Sequence, residues 1–307
     1  MLIKISIVVL AFYFIYIKLT TNSDLEFSNF TEFLSKNNLI SLKNIIVLLL
    51  LSSCNWLFEI LKWQKLVSSI KVISFKNALE QTLGSLTASL FTPNRIGEYG
   101  VKAMYYTKDL RKRIMLINLI SNLQQMSITS VIGSIGCYLF ITKYQITINY
   151  FNLLNTAILS LMIVGVLVFL IRKTKVTKGI FASKIQRFIT EFPKNIMVFG
   201  ILLSFLRYLV FSFQFYYLLN LFGIEIAYFH AMTLITTMYL LASIIPSIFI
   251  FDVVIKGGLA VYLFSFIGMN TITILSIVSI MWLFNFVVPS IFGSYFVLKF
   301  NLPEVSA

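Results

Sequence analysis

One histidine, His230, in 307 residues leaves almost no material for a Ser-His-Asp triad or a His-based metal cluster. The two cysteines, Cys54 and Cys137, lie far apart in apolar segments, with no CxxC spacing, which argues against a disulfide framework or a structural zinc site. Acid is scarce: 11 Asp and Glu stand against 25 Lys and Arg, for a net charge of +14. Charged residues of both signs make up 12% of the chain, about half the ~25% of a soluble domain. No stretch free of apolar runs reaches the ~100 residues of a water-soluble catalytic domain. The sequence has no GxxxxGK[ST], HExxH or GxSxG motif and no aspartate-rich metal motif. The chain is therefore read as a non-enzyme, with no catalytic residues, metal or cofactor.

What the chain does have is 59% hydrophobic residues, arranged in runs close to the ~20 that a membrane-crossing helix needs. The reading is a single all-α polytopic membrane domain over 1–307. On such a protein the basic excess marks cytoplasmic loops rather than a nucleic-acid partner. The first run, Leu2–Leu19, is read as a retained helix, because Thr20-Thr21-Asn22-Ser23 offers no convincing cleavage site. Residues 24–38 are acidic, with Phe27, Phe30, Phe33 and Leu34 at helical spacing, as in an amphipathic helix on the membrane surface; a polar loop is the alternative.

Further spans are expected at about 42–61, 114–141, 152–171, 195–219 and 271–298, which with the first makes about six. Two segments have a different texture. Residues 75–91 are helix-compatible but too polar to cross lipid alone, with Glu80, Gln81, Thr82, Ser85, Thr87 and Ser89. They break at Thr92–Gly97 and resume from Glu98 to about Lys108. Residues 227–245 and 248–267 form a second pair, broken at Pro246, that is either a re-entrant hairpin or two full spans.

Charge sets the expected orientation. With both termini in the cytoplasm, the basic segments Lys62–Lys76, 109–113 and 172–194 all fall inside. The acidic segment after the first span, and residues 220–230 without Lys or Arg, fall outside. The expected location is the inner, cytoplasmic membrane.

The two broken segments match each other without a gap. Ala88-Ser89, Glu98 and Lys102 in the first correspond to Ala242-Ser243, Asp252 and Lys256 in the second, so that 252 − 98 = 154 and 256 − 102 = 154. Each carboxylate precedes its lysine by four residues, on one helix face. The flanking spans run in opposite directions. This predicts inverted repeats over 44–141 and 195–298, preceded by an N-terminal segment over 1–43 and joined by 142–194. Proteins of that design bind their substrate near the midplane, between the broken helices.

Charges at membrane depth cost about 2.5–3.5 kcal/mol each on insertion scales, so they need a partner or a role. The candidates are Arg95, Glu98, Lys102, Arg207, Asp252 and Lys256, four cations and two anions. That balance suits a phosphate-bearing ligand, with Glu98 and Asp252 as counter-ions or proton acceptors. Arg207 can alternatively serve as a structural partner of Asp252 or Glu98. Pro93, Asn94, Gly97 and Pro246 shape the breaks, and the helix start past Asn94 and Gly97 is expected to offer free N–H groups to an anion. Other residues have plainer readings. Glu59, near Lys62, is an interfacial anchor; Trp56, Trp63, Tyr105 and Tyr106 form an aromatic belt. Gly84/Ala88 and Ser85/Ser89 have the small-xxx-small spacing of helix packing.

Residues 92–98, Thr-Pro-Asn-Arg-Ile-Gly-Glu, with Lys102 shortly after, resemble the first signature of the lysylphosphatidylglycerol synthase transmembrane region, a flippase-like family. The resemblance covers about 44–298. The corresponding second stretch, from Ile245-Pro246 to Lys256-Gly257-Gly258, departs from the family's Pro/Gly-rich pattern. The resemblance implies translocation of an anionic phospholipid or a polyprenyl-phosphate-linked lipid. With the chain ending at Ala307, lipid aminoacylation is not expected. Two other readings stay open: a non-transporting partner of a glycosyltransferase or lipid synthase, and a membrane-embedded enzyme on lipid-linked sugars.

Overall fold

Helices start where the side chains can cap them. Ser41 and Ser74 precede the first two described helices, and their hydroxyls accept the N–H of Asn44 (3.4 Å) and Asn77 (3.2 Å). Asn270 does the same for Ile272 at 2.8 Å. Gly223 and Gly268, at φ of 72° and 71°, let the chain leave two other helices through the left-handed region. The computed structural model describes residues 41–90, 92, 96–146, 188, 190–245 and 249–302, with only the helical backbone for 249–254.

Among these residues the protein is helical throughout: α1 (Leu42–Val67), α2 (Phe75–Ser89), α3 (Gly97–Met104), α4 (Arg111–Tyr144), α5 (Lys194–Leu221), α6 (Tyr228–Ile244), α7 (Phe249–Ser265), α8 (Thr271–Trp282), a π-helical segment (Leu283–Val287) and α9 (Val288–Lys299). Four stretches are long and apolar enough to cross a membrane: α1, α4, α5, and α8 through α9. The spans expected at 2–19 and 152–171, the surface helix at 24–38 and most of the 172–194 loop lie outside the described residues. The packing below belongs to one compact unit, residues up to Phe140 and from Lys194 onward; Ile141–Pro193 is a second.

Both interrupted segments are pairs of short helices, α2 with α3 and α6 with α7. At 15, 8, 17 and 17 residues, none reaches the ~20 needed to span alone. Adding the motif offset of 154 to α1 gives 196–221, against Lys194–Leu221 for α5. The same shift takes α2 to 229–243 (α6 is Tyr228–Ile244), and α4 to 265–298, against 271–299 for α8 through α9.

Side-chain pairs set the direction of packing. Tyr217 reaches Asn44, Gln214 reaches the Leu48 carbonyl and Arg207 reaches Asn55, so α1 and α5 are antiparallel neighbours. The α2–α9 contact is close because Gly293 lies against the Leu83 carbonyl and Thr87, whose hydroxyl donates to the Ser290 carbonyl at 3.0 Å. The α4–α6 contact uses the same device: Gly133 and Gly136 face Leu240 and Thr236. Small residues let backbones approach where lipid provides no hydrophobic drive. Gly84, expected on a packing face, lies against Tyr105 and Phe296.

The burial pattern is that of a membrane protein with a polar interior. Gln81–Leu90 are buried on every side, so α2, too polar for lipid, is enclosed by protein. On α1 the exposed large residues include Leu42, Ile46, Leu50 and Leu57, whereas Ser52, Asn55, Glu59 and Lys62 are buried.

The last span departs from the continuous helix expected over 271–298. Pro289 has no N–H for the Asn285 carbonyl, and the helix widens there into the π segment. The carbonyls freed by the bulge are taken by α1: Trp56 Nε1 donates to Asn285 O at 2.9 Å and the Ser52 hydroxyl donates to Phe284 O.

Candidate functional site

The polar side chains of the bundle form one layer across six elements. At its centre the Glu59 carboxylate accepts from Lys62 Nζ at 2.8 Å and from Arg207 Nη1. Arg207 Nε also donates to Asn55 Oδ1 at 3.0 Å, and the guanidinium lies 5.7 Å from the Trp56 ring centre. Asn55 Nδ2 continues the chain to Asn285 Oδ1 at 3.0 Å, and Asn285 Nδ2 donates to Gln214 Oε1 at 2.9 Å.

Next to Lys62 in sequence, Trp63 opens the other half of the layer. Its ring carries the Lys102 ammonium 4.1 Å from the centroid, a cation–π contact. Lys102 pairs with Glu98 at 2.6 Å and donates to Asn118 Oδ1 at 2.9 Å. Gln81 Oε1 accepts from both the Trp63 indole and the Tyr106 hydroxyl, each at 2.8 Å. Lys102 is 0% exposed, Lys62 1% and Glu59 6%. Charges so deeply buried are held by pairing and hydrogen bonds, since an unpaired one would cost several kcal/mol. Three cations against two anions leave the described residues of the layer at +1.

Several expectations need correction. Glu59 is no interfacial anchor; it is the shared counter-ion of Lys62 and Arg207. Lys62 is not a loop charge, because α1 continues to Val67. Trp56, Trp63 and Tyr106 are buried, with their N–H and O–H groups bonded inside the protein, rather than in an aromatic belt. Tyr105 is half-buried and donates to the Glu80 carbonyl. Arg207 takes Glu59 and Asn55 as partners, not Glu98. The Gly97 N–H is not open to an anion, because Thr92 Oγ1 accepts it at 3.0 Å while donating to the Ser89 carbonyl at 2.7 Å. A Cβ at 97 would lie 2.8 Å from Thr92 Cγ2, so glycine permits this link across the break. Lys194 begins α5 rather than ending a loop.

The structure brings Glu98 to Lys102, as the four-residue spacing predicts. Lys256, on α7, lines a cleft with Phe211, Phe215, Met238, Tyr239, Val278, Met281, Trp282 and Phe286. Arg95, Pro93, Asn94 and Pro246, and the side chain of Asp252, lie outside the described residues.

The sequence reading missed Asn55, Glu59, Lys62, Gln81, Asn118, Gln214 and Asn285 as site residues, although some of the signal was there. Positions 52, 55, 56, 59, 62, 63 and 66 of α1 recur at steps of three and four, which places every polar or tryptophan residue among them on one helix face. In a span otherwise made for lipid, that stripe marks the side turned to protein.

Among the described residues no group of three or more His, Cys, Asp or Glu could hold a metal ion. No curated protein and no solved structure matches the chain. The profile of one family, described as the lysylphosphatidylglycerol synthase TM region, matches residues 1–293. That covers nearly the whole sequence and agrees with the multi-pass apolar helices and the Thr92–Glu98 motif: the chain belongs to this family of membrane proteins acting on lipids.

Proposed function

We propose that this protein translocates an anionic lipid or a lipid-linked phosphate across the cytoplasmic membrane, acting as a transporter and not as a catalyst. The observation that carries the reading is the relation between the halves. α1–α4 and α5–α9 follow each other at one offset, each with a pair of short helices where a single span would run. Antiparallel packing of α1 on α5 supports inverted repeats. Contacts 44–217, 48–214 and 55–207 pair residues whose numbers sum to about 262, so a two-fold axis combined with the 154-residue offset would pass near residues 54 and 208. The Asn55–Arg207 contact thus lies beside the inferred two-fold axis, the level at which inverted-repeat transporters bind their substrates. The excess positive charge of the layer suits a phosphate group. Movement would come from rocking of one half against the other, driven by a gradient or by lipid supply.

One observation favours a second reading, a static partner of a glycosyltransferase or lipid synthase: Lys62 and Lys102 are closed off by their own counter-ions. Reconstitution into liposomes with fluorescently labelled phosphatidylglycerol and dithionite quenching separates the two. Transport predicts that quenching exceeds the half-maximal plateau of protein-free vesicles; a plateau that stays at half, for both phosphatidylglycerol and a polyprenyl phosphate, supports the static partner. The proposed orientation places residue 178 inside, and labelling of a cysteine there from outside intact cells would overturn it.

A further inference from the structure

Where α4 passes α5, four buried oxygens have no hydrogen-bond partner among the described residues: Ser121 Oγ, Gln124 Oε1 and Gln125 Oε1 on α4, and Ser204 Oγ on α5. Ser121 lies one turn from both glutamines, on the same helix face. The glutamine amides already reach α5 by their other ends. Gln124 Nε2 donates to the Met197 carbonyl at 3.1 Å, and Gln125 Nε2 stands 3.5 Å from the Ser204 carbonyl. Turning either amide over would set its oxygen against a carbonyl, so both oxygens stay without a donor. An orphaned buried polar atom is destabilising, and four at one helix contact call for an account.

The other half of the molecule supplies a comparison. At the 154-residue offset α5 corresponds to α1, and α4 to the span from α8 through α9. The contact of α4 with α5 therefore has a counterpart in the contact of α1 with the π segment. That counterpart is fully bonded: Asn55 to Asn285, Trp56 to the Asn285 carbonyl and Ser52 to the Phe284 carbonyl. The residue 154 positions after Asn55 is Leu209, and the one 154 before Asn285 is Val131. They are 42% and 62% exposed, so α4 and α5 do not close on each other at that level. A second pair of counterparts does match, since Gly133 and Gly136 bring α4 onto α6 as Gly293 brings α9 onto α2. The difference between the halves is thus confined to one contact.

We infer that the α4–α5 contact is a gate standing open in this conformation, and that in a second conformation α4 tilts onto α5 until the orphaned oxygens pair and Val131 meets Leu209. The four atoms suit one another, because two hydroxyls can donate and two amide oxygens can only accept. The amide of Gln124 has room to swing, because a Cβ on Gly200 would lie 2.4 Å from its oxygen and glycine has none. Of the four spanning stretches α4 is the least enclosed by protein, which leaves it free to move. The orphaned atoms raise the energy of the open arrangement and so keep the closed one within reach. Asn118, one turn before Ser121 on α4, accepts from Lys102, so the motion is felt in the charged layer. The inference rests on the repeat relation proposed above and not on the identity of any lipid.

The test is double electron–electron resonance on the purified full chain in detergent, with Cys54 and Cys137 replaced by alanine and spin labels on Val131→Cys and Leu209→Cys. Both label sites are exposed, so the labels displace no core side chain. Two distances are expected, the longer for the arrangement described here and a shorter one for the closed gate. Adding Ser121→Ala and Ser204→Ala should lower the ratio of short to long about tenfold, the effect of hydrogen bonds made in one state only. The same double substitution should melt no lower than the parent, because it removes hydroxyls that the open state leaves unpaired. A single distance in the parent, an unchanged ratio in the double variant, or a double variant that unfolds more easily would overturn the inference. Liposome transport is scored separately. A protein with both distances that moves no lipid keeps the gate and loses the transporter reading, whereas transport with a single distance keeps the transporter and removes this gate.

Discussion

Glu59→Gln is the most exacting probe of the charged layer. The substitution keeps shape, leaves one acceptor oxygen where there were two, and removes one charge from a carboxylate that two cations share. Arg207 would keep Asn55 and the Trp56 face, and its side chain is 20% exposed, so it can relax toward solvent or headgroups. Lys62 has no such outlet: it is 1% exposed, and Glu59 is its ion-pair partner at 2.8 Å. Coulomb attraction at that distance, with an effective dielectric of ~20, is about 6 kcal/mol. Some of it is already offset by the cost of burying both ions, and breaking buried pairs generally loses about 3–5 kcal/mol. That is the expected loss, measured as unfolding of the purified full chain by SDS titration in mixed micelles, followed by circular dichroism. Adding Lys62→Met removes the orphaned charge while keeping the apolar stem, so the double variant should recover to within about 1–2 kcal/mol of the parent. A loss below about 1 kcal/mol for Glu59→Gln, or a double variant as unstable as the single one, would show that the pair is not the closed, buried contact described above.

Three further substitutions probe other regions of the fold. Glu98→Gln leaves the fully buried Lys102 with only Asn118, the Trp63 face and a neutral amide, and should lower stability by about 3 kcal/mol in the same titration; parent-like stability with transport abolished would instead make Glu98 a proton or substrate acceptor. Gly293→Ala places a Cβ on the Leu83 carbonyl and Thr87, forcing α2 and α9 apart at about 1–3 kcal/mol, whereas Gly100→Ala meets nothing within 4 Å and should gain up to about 1 kcal/mol of helix propensity. Equal effects of the two glycine variants would refute the close α2–α9 contact.

Much of the architecture was legible in the sequence because membrane insertion depends on local composition. Apolar runs mark spans whatever they pack against, and residues 75–91 are by their polarity unable to cross lipid alone; in the structure Gln81–Leu90 are buried within protein. The Glu98–Lys102 pair was readable because four residues make one helical turn. What stayed hidden depends on which helices meet. Hydropathy falls at Lys62-Trp63-Gln64-Lys65, and nothing local distinguishes a helix leaving the membrane from one continuing inside a polar interior. Only the antiparallel contact of α1 with α5 brings Arg207 to Glu59, across 148 positions. The π segment likewise needs a partner, since the Asn285 carbonyl that Pro289 leaves unbonded is tolerable inside the protein only because Trp56, 229 positions away, donates to it. Burial in lipid selects residue types along the chain, whereas satisfaction of the buried charges and carbonyls is a property of pairs, and tertiary packing alone decides which pairs form.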